Sequence, residues 1–142
     1  MTDIAFHFNV PDQVNYACRL LRKAVSSGAQ VVVTGPPETL AQLDEALWTF
    51  SVVDFVPHSY LQGEPTMVAA SPILLAPATG SVPHHDVLLN LGYDVASGFD
   101  KFERVIEVVG LDDPQRVLAR KRWKHYIDAG YSITRHDLTL KT

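Results

Sequence analysis

The sequence predicts an α/β domain in which helices cover a mainly parallel sheet. Apolar segments with strand character alternate with segments of helical periodicity from the N-terminus onward. This alternation indicates parallel strands that are joined by right-handed crossovers. A length of 142 residues and a hydrophobic fraction of 46% suit a single domain, residues 1–142, with a substantial core.

The first half of the chain predicts two strands, each followed by a helix. The first helix is amphipathic, because apolar residues recur every three or four positions from Val14 to Val25, and Gly28 suits its end. The second strand is rich in valine, which is typical of a buried strand. The predicted elements are a strand at 4–8, a helix after the turn at 9–12, a strand at 30–34 and a helix at 37–50.

The second half predicts short apolar strands and a long closing helix. The runs 67–70 and 73–75 are short and apolar, and we interpret both as strands. The last helix begins with Asp112 as its cap and Pro114 in its first turn, and it stops at Gly130. The remaining segments are an irregular stretch at 52–65, strands at 87–91 and 105–109, a short helix or turn at 97–102, and a closing strand or arm at 131–134.

Composition predicts a cytoplasmic protein with no membrane contact. No segment approaches the roughly 18 uncharged apolar residues that a membrane-spanning helix needs. The N-terminal residues lack the basic and apolar regions of a secretory signal. Cys18, the single cysteine, falls in the apolar pattern of the first helix, so we expect a buried thiol rather than a nucleophile.

The charge is distributed unevenly along the chain. Residues 1–115 carry five Lys/Arg and fourteen Asp/Glu, a net charge of −9, whereas residues 116–142 carry seven and two, a net charge of +5. An acidic body argues against wrapping nucleic acid over the whole surface. The basic end predicts one localised site for an anionic group.

Two segments suggest enzyme chemistry, but plain structure explains them better. Residues 35–37, Gly-Pro-Pro, stand where a phosphate loop would lie between a strand and a helix. They match no phosphate-binding pattern, and two prolines remove N–H donors, so a turn is favoured over a nucleotide-dependent enzyme. Residues 84–86, His-His-Asp, lack a second ligand pair, so a solvated loop is favoured over a metal site. We expect no catalytic residue, metal or cofactor.

The last helix carries the sharpest signal. At about 100° per residue, four cations of residues 116–124 fall in an arc of about 140°, with Trp123 at its edge. A solvated helix face is the simpler interpretation. The neighbouring aromatic ring favours a site for an anionic, partly apolar ligand. The cations of the arc are Arg116, Arg120, Lys121 and Lys124, and Leu118, Ala119 and Tyr126 lie on the opposite side, which we expect to face the sheet.

Several segments together resemble the chi subunit family of the bacterial DNA polymerase III holoenzyme. The similarity lies in the opening strand, in residues 43–48 (Leu-Asp-Glu-Ala-Leu-Trp), in residues 55–58 (Phe-Val-Pro-His) and in residues 119–131, which begin Ala-Arg-Lys-Arg-Trp-Lys and end Ala-Gly-Tyr. Their order and spacing fit the family along most of the chain. One departure is Trp123, where the family typically has tyrosine.

The resemblance implies a Rossmann-like three-layer fold, no catalytic site and no cofactor. It also implies two partners for a replication adaptor: the psi subunit, which links it to the clamp loader, and the acidic C-terminal tail of single-stranded-DNA-binding protein. DNA contact is then mainly indirect. By position, Trp48 and Phe55 are expected to face psi, and Arg116, Arg120, Trp123 and Lys124 are expected to bind the tail.

The resemblance leaves two matters open. The chain end lacks the expected aromatic residue, so the sequence assigns no residue to the apolar floor of the tail site. A module that binds single-stranded nucleic acid directly is an alternative, with the basic helix 114–129 along the backbone and Trp123 stacked on a base.

Overall fold

A computed structural model describes residues 2–49, 57–61, 63, 65–76 and 82–138. In these ranges strands and helices alternate, as the sequence predicts. The elements are β1 (Asp3–Val10), α1 (Gln13–Ser26), β2 (Val31–Thr34), α2 (Pro37–Thr49), β3 (His58–Tyr60), α3 (Pro65–Ala70), β4 (Ile73–Leu75), β5 (Val87–Asn90), a 3₁₀ turn (Phe99–Lys101), β6 (Arg104–Gly110), α4 (Asp113–Asp128) and β7 (Ile133–Asp137).

The seven strands form one parallel sheet in the order β3-β4-β2-β5-β6-β1-β7. The first strand therefore lies inside the sheet, between two strands from the end of the chain. Ile4 is in register with Val105 of β6 on one side and with Ile133 of β7 on the other. Because every strand runs the same way, all the carboxyl ends meet at one edge, which is where α/β sheets commonly bind ligands.

Helices cover both faces, so the predicted three-layer α/β fold is confirmed. Residues of α1 and α2 pack with Val31 and Val33 on one face. Val32 points the other way and belongs to the cluster that contains Ala119 and Tyr126 of α4. This alternation follows from the two-residue period of a strand, and it requires apolar residues on both faces of β2.

The helix ends follow the predicted signals in part. Asp112 is the N-cap residue of α4, as predicted, but its side chain makes no capping hydrogen bond. Asp12, at the end of the predicted turn, caps α1 by accepting a hydrogen bond from the backbone N–H of Asn15 at 3.0 Å. Gly28 then follows the helix with φ of 83°, and Gly130 follows α4 with φ of 92°. Both glycines adopt the left-handed conformation that commonly ends a helix.

The segment between β2 and α2 is the turn that the sequence favours. Gly35 lies directly after β2, and a Cβ there would meet the backbone carbon of Leu91 at 3.3 Å. The close approach of these two strand ends explains the glycine.

Two predictions of local structure differ from the fold. Residues 67–70, interpreted as a strand, belong to the helix α3, for which Pro65 is a suitable first residue. An apolar run this short has no decisive period. The strand β3 lies within the stretch that was predicted to be irregular, because its three residues, His-Ser-Tyr, at the edge of the sheet carry no apolar pattern.

Candidate functional site

A cavity of about 380 Å³ opens between α4 and the carboxyl ends of the strands β1 and β6, with β7 at its side. Its volume lies within the range of small-ligand sites. It combines apolar rings with three arginines. The lining residues are Phe6, Phe8, Asn9, Val109, Arg116, Ala119, Arg120, Trp123 and Arg135.

The strands β1 and β6 supply the apolar floor that the sequence left unassigned. Phe6 and Phe8 point to the same face of β1, as alternate residues must. The ring of Phe6 contacts Trp123 with centroids 5.0 Å apart and planes tilted by 58°. Val109 adds an aliphatic side chain from β6. Trp123 is half-buried in this contact and forms a wall of the cavity.

Three arginines surround this floor. Arg116 and Arg120 lie one turn apart on α4, and both are exposed. Arg135 reaches across from β7, with its guanidinium carbon 5.6 Å from the ring centroid of Phe8 and 6.0 Å from that of Trp123. These distances fit cation–π contacts. Three guanidinium groups beside an apolar surface are suited to a ligand that has both a carboxylate and an aromatic ring.

The structure brings three of the four predicted tail-site residues together. Arg116, Arg120 and Trp123 all line the cavity. Lys124 is exposed on the outer side of α4 and is not among the lining residues, and Lys121 is likewise exposed. The arc of four cations is therefore divided between the cavity and the outer face of the helix.

Arg122 is a basic residue of α4 that is buried and not exposed at the surface. Its side chain is 4% exposed and donates to Glu107 Oε1 at 2.9 Å and to the carbonyl oxygen of Tyr93 at 2.9 Å. The carboxylate of Glu107 is fully buried in β6 and also accepts hydrogen bonds from Tyr126 and Asn90. Every strong partner of this buried carboxylate is a donor, which fits its ionised form.

Burial and charge act in opposite directions on this network. The pKa of Glu107 is raised above its usual value, because desolvation outweighs the opposing effects of the Arg122 charge and of the hydrogen bonds from Tyr126, Asn90 and Arg122. Burial and the neighbouring carboxylate raise the pKa of Tyr126, so its hydroxyl stays protonated and donates. Arg122 and Tyr126 thus both join α4 to Glu107 of β6, and this side of the helix faces the sheet while Arg116, Arg120 and Trp123 line the cavity.

A second exposed feature lies at the other end of the sheet. Trp48, near the end of α2, is 56% exposed, and its ring lies 5.1 Å from that of His58 in the edge strand β3. His58 is buried and shares a hydrogen bond of 2.8 Å with Asp44. Large exposed aromatic residues often anchor protein interfaces. Phe55, predicted to share this surface, lies outside the described residues.

Residues 84–86 are partly buried, whereas the sequence predicts a solvated loop. Both ring nitrogens of His84 are buried without a hydrogen-bond partner among the described residues, and burial lowers the pKa of its side chain. The rings of His85 and Phe102 lie 5.0 Å apart with planes tilted by 58°, and Asp86 accepts a hydrogen bond from the backbone N–H of Gln30. Within the described ranges, no three His, Cys, Asp or Glu side chains are grouped so that they could hold a metal ion. Cys18 is buried, and burial together with the charge of Asp12 raises its thiol pKa to about 11.

The sequence predicts no membrane-spanning helix. None of the helices in the described ranges has the length and the apolar composition to cross a bilayer.

The fold and the site define a three-layer α/β domain with a cationic, aromatic-floored cavity at the carboxyl edge of its sheet. The comparisons with known proteins specify the family. Residues 1–134 match the family described as DNA polymerase III chi subunit, HolC. The chain belongs to this family, which provides accessory subunits of a replicative DNA polymerase.

Two curated relatives span most of the chain. The DNA polymerase III subunit chi of Pseudomonas aeruginosa is 32% identical over 127 residues, which is 89% of this chain and 87% of the relative. That of Escherichia coli K12 is 32% identical over 117 residues, or 82% and 79% of the two chains. The resemblance that the sequence motifs indicated is thereby confirmed.

Proposed function

We propose that the chain is a non-catalytic adaptor that links the polymerase to coated single-stranded DNA. Its cavity binds the acidic C-terminal tail of single-stranded-DNA-binding protein, and its Trp48 surface binds the psi subunit of the clamp-loader complex. The observation that carries the first part is the convergence of Arg116, Arg120 and Arg135 on one aromatic floor.

The chemistry of the cavity suits an acidic peptide that ends in an aromatic residue and a carboxylate. The terminal ring packs on the partly exposed rings of Phe8 and Trp123, where it displaces water from an apolar surface. The buried ring of Phe6 supports Trp123 from beneath. The carboxylates meet guanidinium groups, which donate two parallel hydrogen bonds. Lys124, on the outer face of the helix, attracts the acidic residues that precede the end of the tail.

The expected affinity is weak. Burial of an aromatic ring removes about 150–250 Å² from water, which contributes roughly 4–6 kcal/mol. Each exposed ion pair adds about 0.2–1 kcal/mol, and ordering a flexible tail costs several kcal/mol. A micromolar dissociation constant is the expected result. Several tails on one binding protein raise the effective affinity, because a second tail binds at high local concentration.

Titration of the chain with a fluorescent tail peptide tests the site. Arg120→Ala is expected to weaken binding about five- to tenfold, because one guanidinium partner is lost. Arg19→Ala is the matched control, since Arg19 is an exposed arginine of α1, on the opposite face of the sheet. Equal affinity for the peptide in both variants contradicts the proposed site. Titration with a peptide that lacks the terminal aromatic residue tests whether the apolar floor binds that ring.

Support for the psi contact comes from exposure and position. Trp48 exposes more than half of its surface beside the edge strand β3, far along the sheet order from the cavity. Edge strands and exposed aromatic residues are common features of binding surfaces. Co-purification of psi with wild-type and Trp48→Ala chains measures this contact.

Direct binding of single-stranded nucleic acid is the competing function. The net charge of −9 over residues 1–115 argues against it, because an acidic body repels a nucleic-acid backbone that extends beyond the cavity. A mobility assay with a free oligonucleotide and no partner protein separates the two functions. Tight binding in that assay favours the nucleic-acid module.

A further inference from the structure

Asn9 has an unusual backbone conformation at the rim of the cavity. Its φ is +59°. Among the described residues that are not glycine, Asn9 alone has a positive φ. The pairing of β1 with β6 shifts register between His7 and Val10, around this residue. Asparagine tolerates the left-handed region better than most residues, and such conformations often occur at binding sites.

The side chain of Asn9 stands between a cation and an anion. Its Oδ1 accepts a hydrogen bond from Arg116 Nη2 at 3.0 Å, and its Nδ2 donates to Asp137 Oδ1 at 2.9 Å. A guanidinium only donates and a carboxylate only accepts, so the two partners fix the orientation of the amide. The neutral amide thus joins α4 to the end of β7 without adding charge.

We propose that Asn9 is a positioning residue that directs Arg116 into the cavity and keeps its positive charge from pairing with Asp137. The proposal rests on the proposed tail-binding function, which it deepens. The amide holds Arg116 with one neutral hydrogen bond and occupies Asp137 with another. The positive charge of Arg116 therefore remains available to an anionic ligand.

Asn9 acts as a spacer, a neutral group between Arg116 and Asp137, and it matters because the two charged groups would otherwise pair directly. Arginine and aspartate form charge-assisted, often bidentate pairs that are stronger than a hydrogen bond to an amide. With Asp137 paired directly to Arg116, a ligand carboxylate must compete with the protein's own carboxylate. Affinity then falls, and so does its dependence on salt, because one cation of the site has been neutralised.

Four variants test the spacer with the fluorescent tail peptide. Asn9→Gly keeps the left-handed backbone and removes the amide, and we expect it to weaken binding roughly three- to tenfold and to reduce the salt dependence. Asn9→Asp is expected to weaken binding by more than about tenfold, because the new carboxylate pairs with Arg116. Asp137→Asn alone is expected to change affinity by less than about twofold.

The decisive variant combines Asn9→Gly with Asp137→Asn. With the competing carboxylate gone, affinity and salt dependence are expected to return to within about threefold of the wild type. A purely structural role of Asn9 predicts no such rescue. Thermal unfolding of each variant confirms that the chain is folded.

The outcomes distinguish a failure of the role proposed for Asn9 from a failure of the proposed tail site. Wild-type affinity in Asn9→Gly, or a double variant that binds no better than Asn9→Gly, overturns the spacer and leaves the tail site intact. A wild-type chain that does not bind the peptide overturns both proposals.

Discussion

Arg120 and Arg122 lie two positions apart on the same helix, yet they meet opposite environments. Arg120 is exposed and lines the cavity, whereas Arg122 is 4% exposed and pairs with the buried carboxylate of Glu107. Two positions turn a helix by about 200°. One arginine is thereby directed to a ligand and the other to the sheet, so a count of basic residues overstates the cationic surface of this helix.

The buried pair should give the largest effect on stability. Arg122→Ala leaves the Glu107 carboxylate buried without its counter-charge, and we expect a loss of about 3–5 kcal/mol in the free energy of unfolding. Urea unfolding followed by circular dichroism measures it. Arg120→Ala is the matched control, with an expected change within about 0.5 kcal/mol.

A double replacement sharpens this prediction. Glu107→Leu with Arg122→Met removes both charges, and we expect it to cost much less than either single change. If the Arg122→Ala chain has the same free energy of unfolding as the Arg120→Ala chain, the buried pair of Arg122 and Glu107 does not stabilise the fold.

The next largest effect concerns the Trp48 surface. Trp48→Ala is expected to weaken assembly with psi by about 2 kcal/mol, as truncation of a central aromatic residue commonly does. Phe55→Ala is expected to act in the same direction. Isothermal titration with purified psi measures both variants, and the tail peptide provides the control. Loss of both activities together indicates unfolding rather than an interface effect.

The third largest effect is expected for Arg120→Ala, which removes a guanidinium group from the cavity. Its expected cost for tail binding is about 1 kcal/mol, close to the upper range of an exposed ion pair, since the guanidinium borders an apolar floor. Peptide titration at low and high salt measures the cost. An equal loss of affinity in Arg19→Ala shows that general charge, not the cavity, attracts the peptide.

Lys124→Glu should have the smallest effect at equilibrium. Lys124 lies outside the cavity lining, so we expect a loss of about 0.2–1 kcal/mol that appears mainly in the association rate and disappears at high salt. Stopped-flow mixing with the tail peptide measures this rate. A loss larger than that of Arg120→Ala moves the binding site to the outer face of the helix.

Much of the fold could be predicted because its patterns are local. The alternating environments of β2 and the apolar stripe of α1 follow from periods of two and 3.6 residues. The C-terminal ends of α1 and α4 follow from glycines with positive φ. The strand β3 and the helix α3 were missed because each is too short to show a period.

Three of the nine residues that line the candidate site, Arg116, Arg120 and Trp123, could be predicted as well. The residues of α4 lie on one continuous helix, so their relative directions follow from sequence spacing. The apolar floor and Arg135 come from β1, β6 and β7. Phe6 of β1 contacts Trp123 of α4 although more than a hundred positions separate them, and Arg135 reaches Trp123 from β7 on the other side of β1. A phenylalanine in a strand pattern indicates burial, but not which helix covers it.

The sequence by itself determined the α/β class, the uneven charge, the family and the cationic face of the last helix. Each of these depends on residue types and short spacings along the chain. Only the tertiary structure decided that Phe6 and Phe8 form the floor, that Arg135 joins the cations, and that Asn9 stands between Arg116 and Asp137. The reason is that β1 inserts between β6 and β7. That placement depends on pairing between opposite ends of the chain, and no local pattern records it.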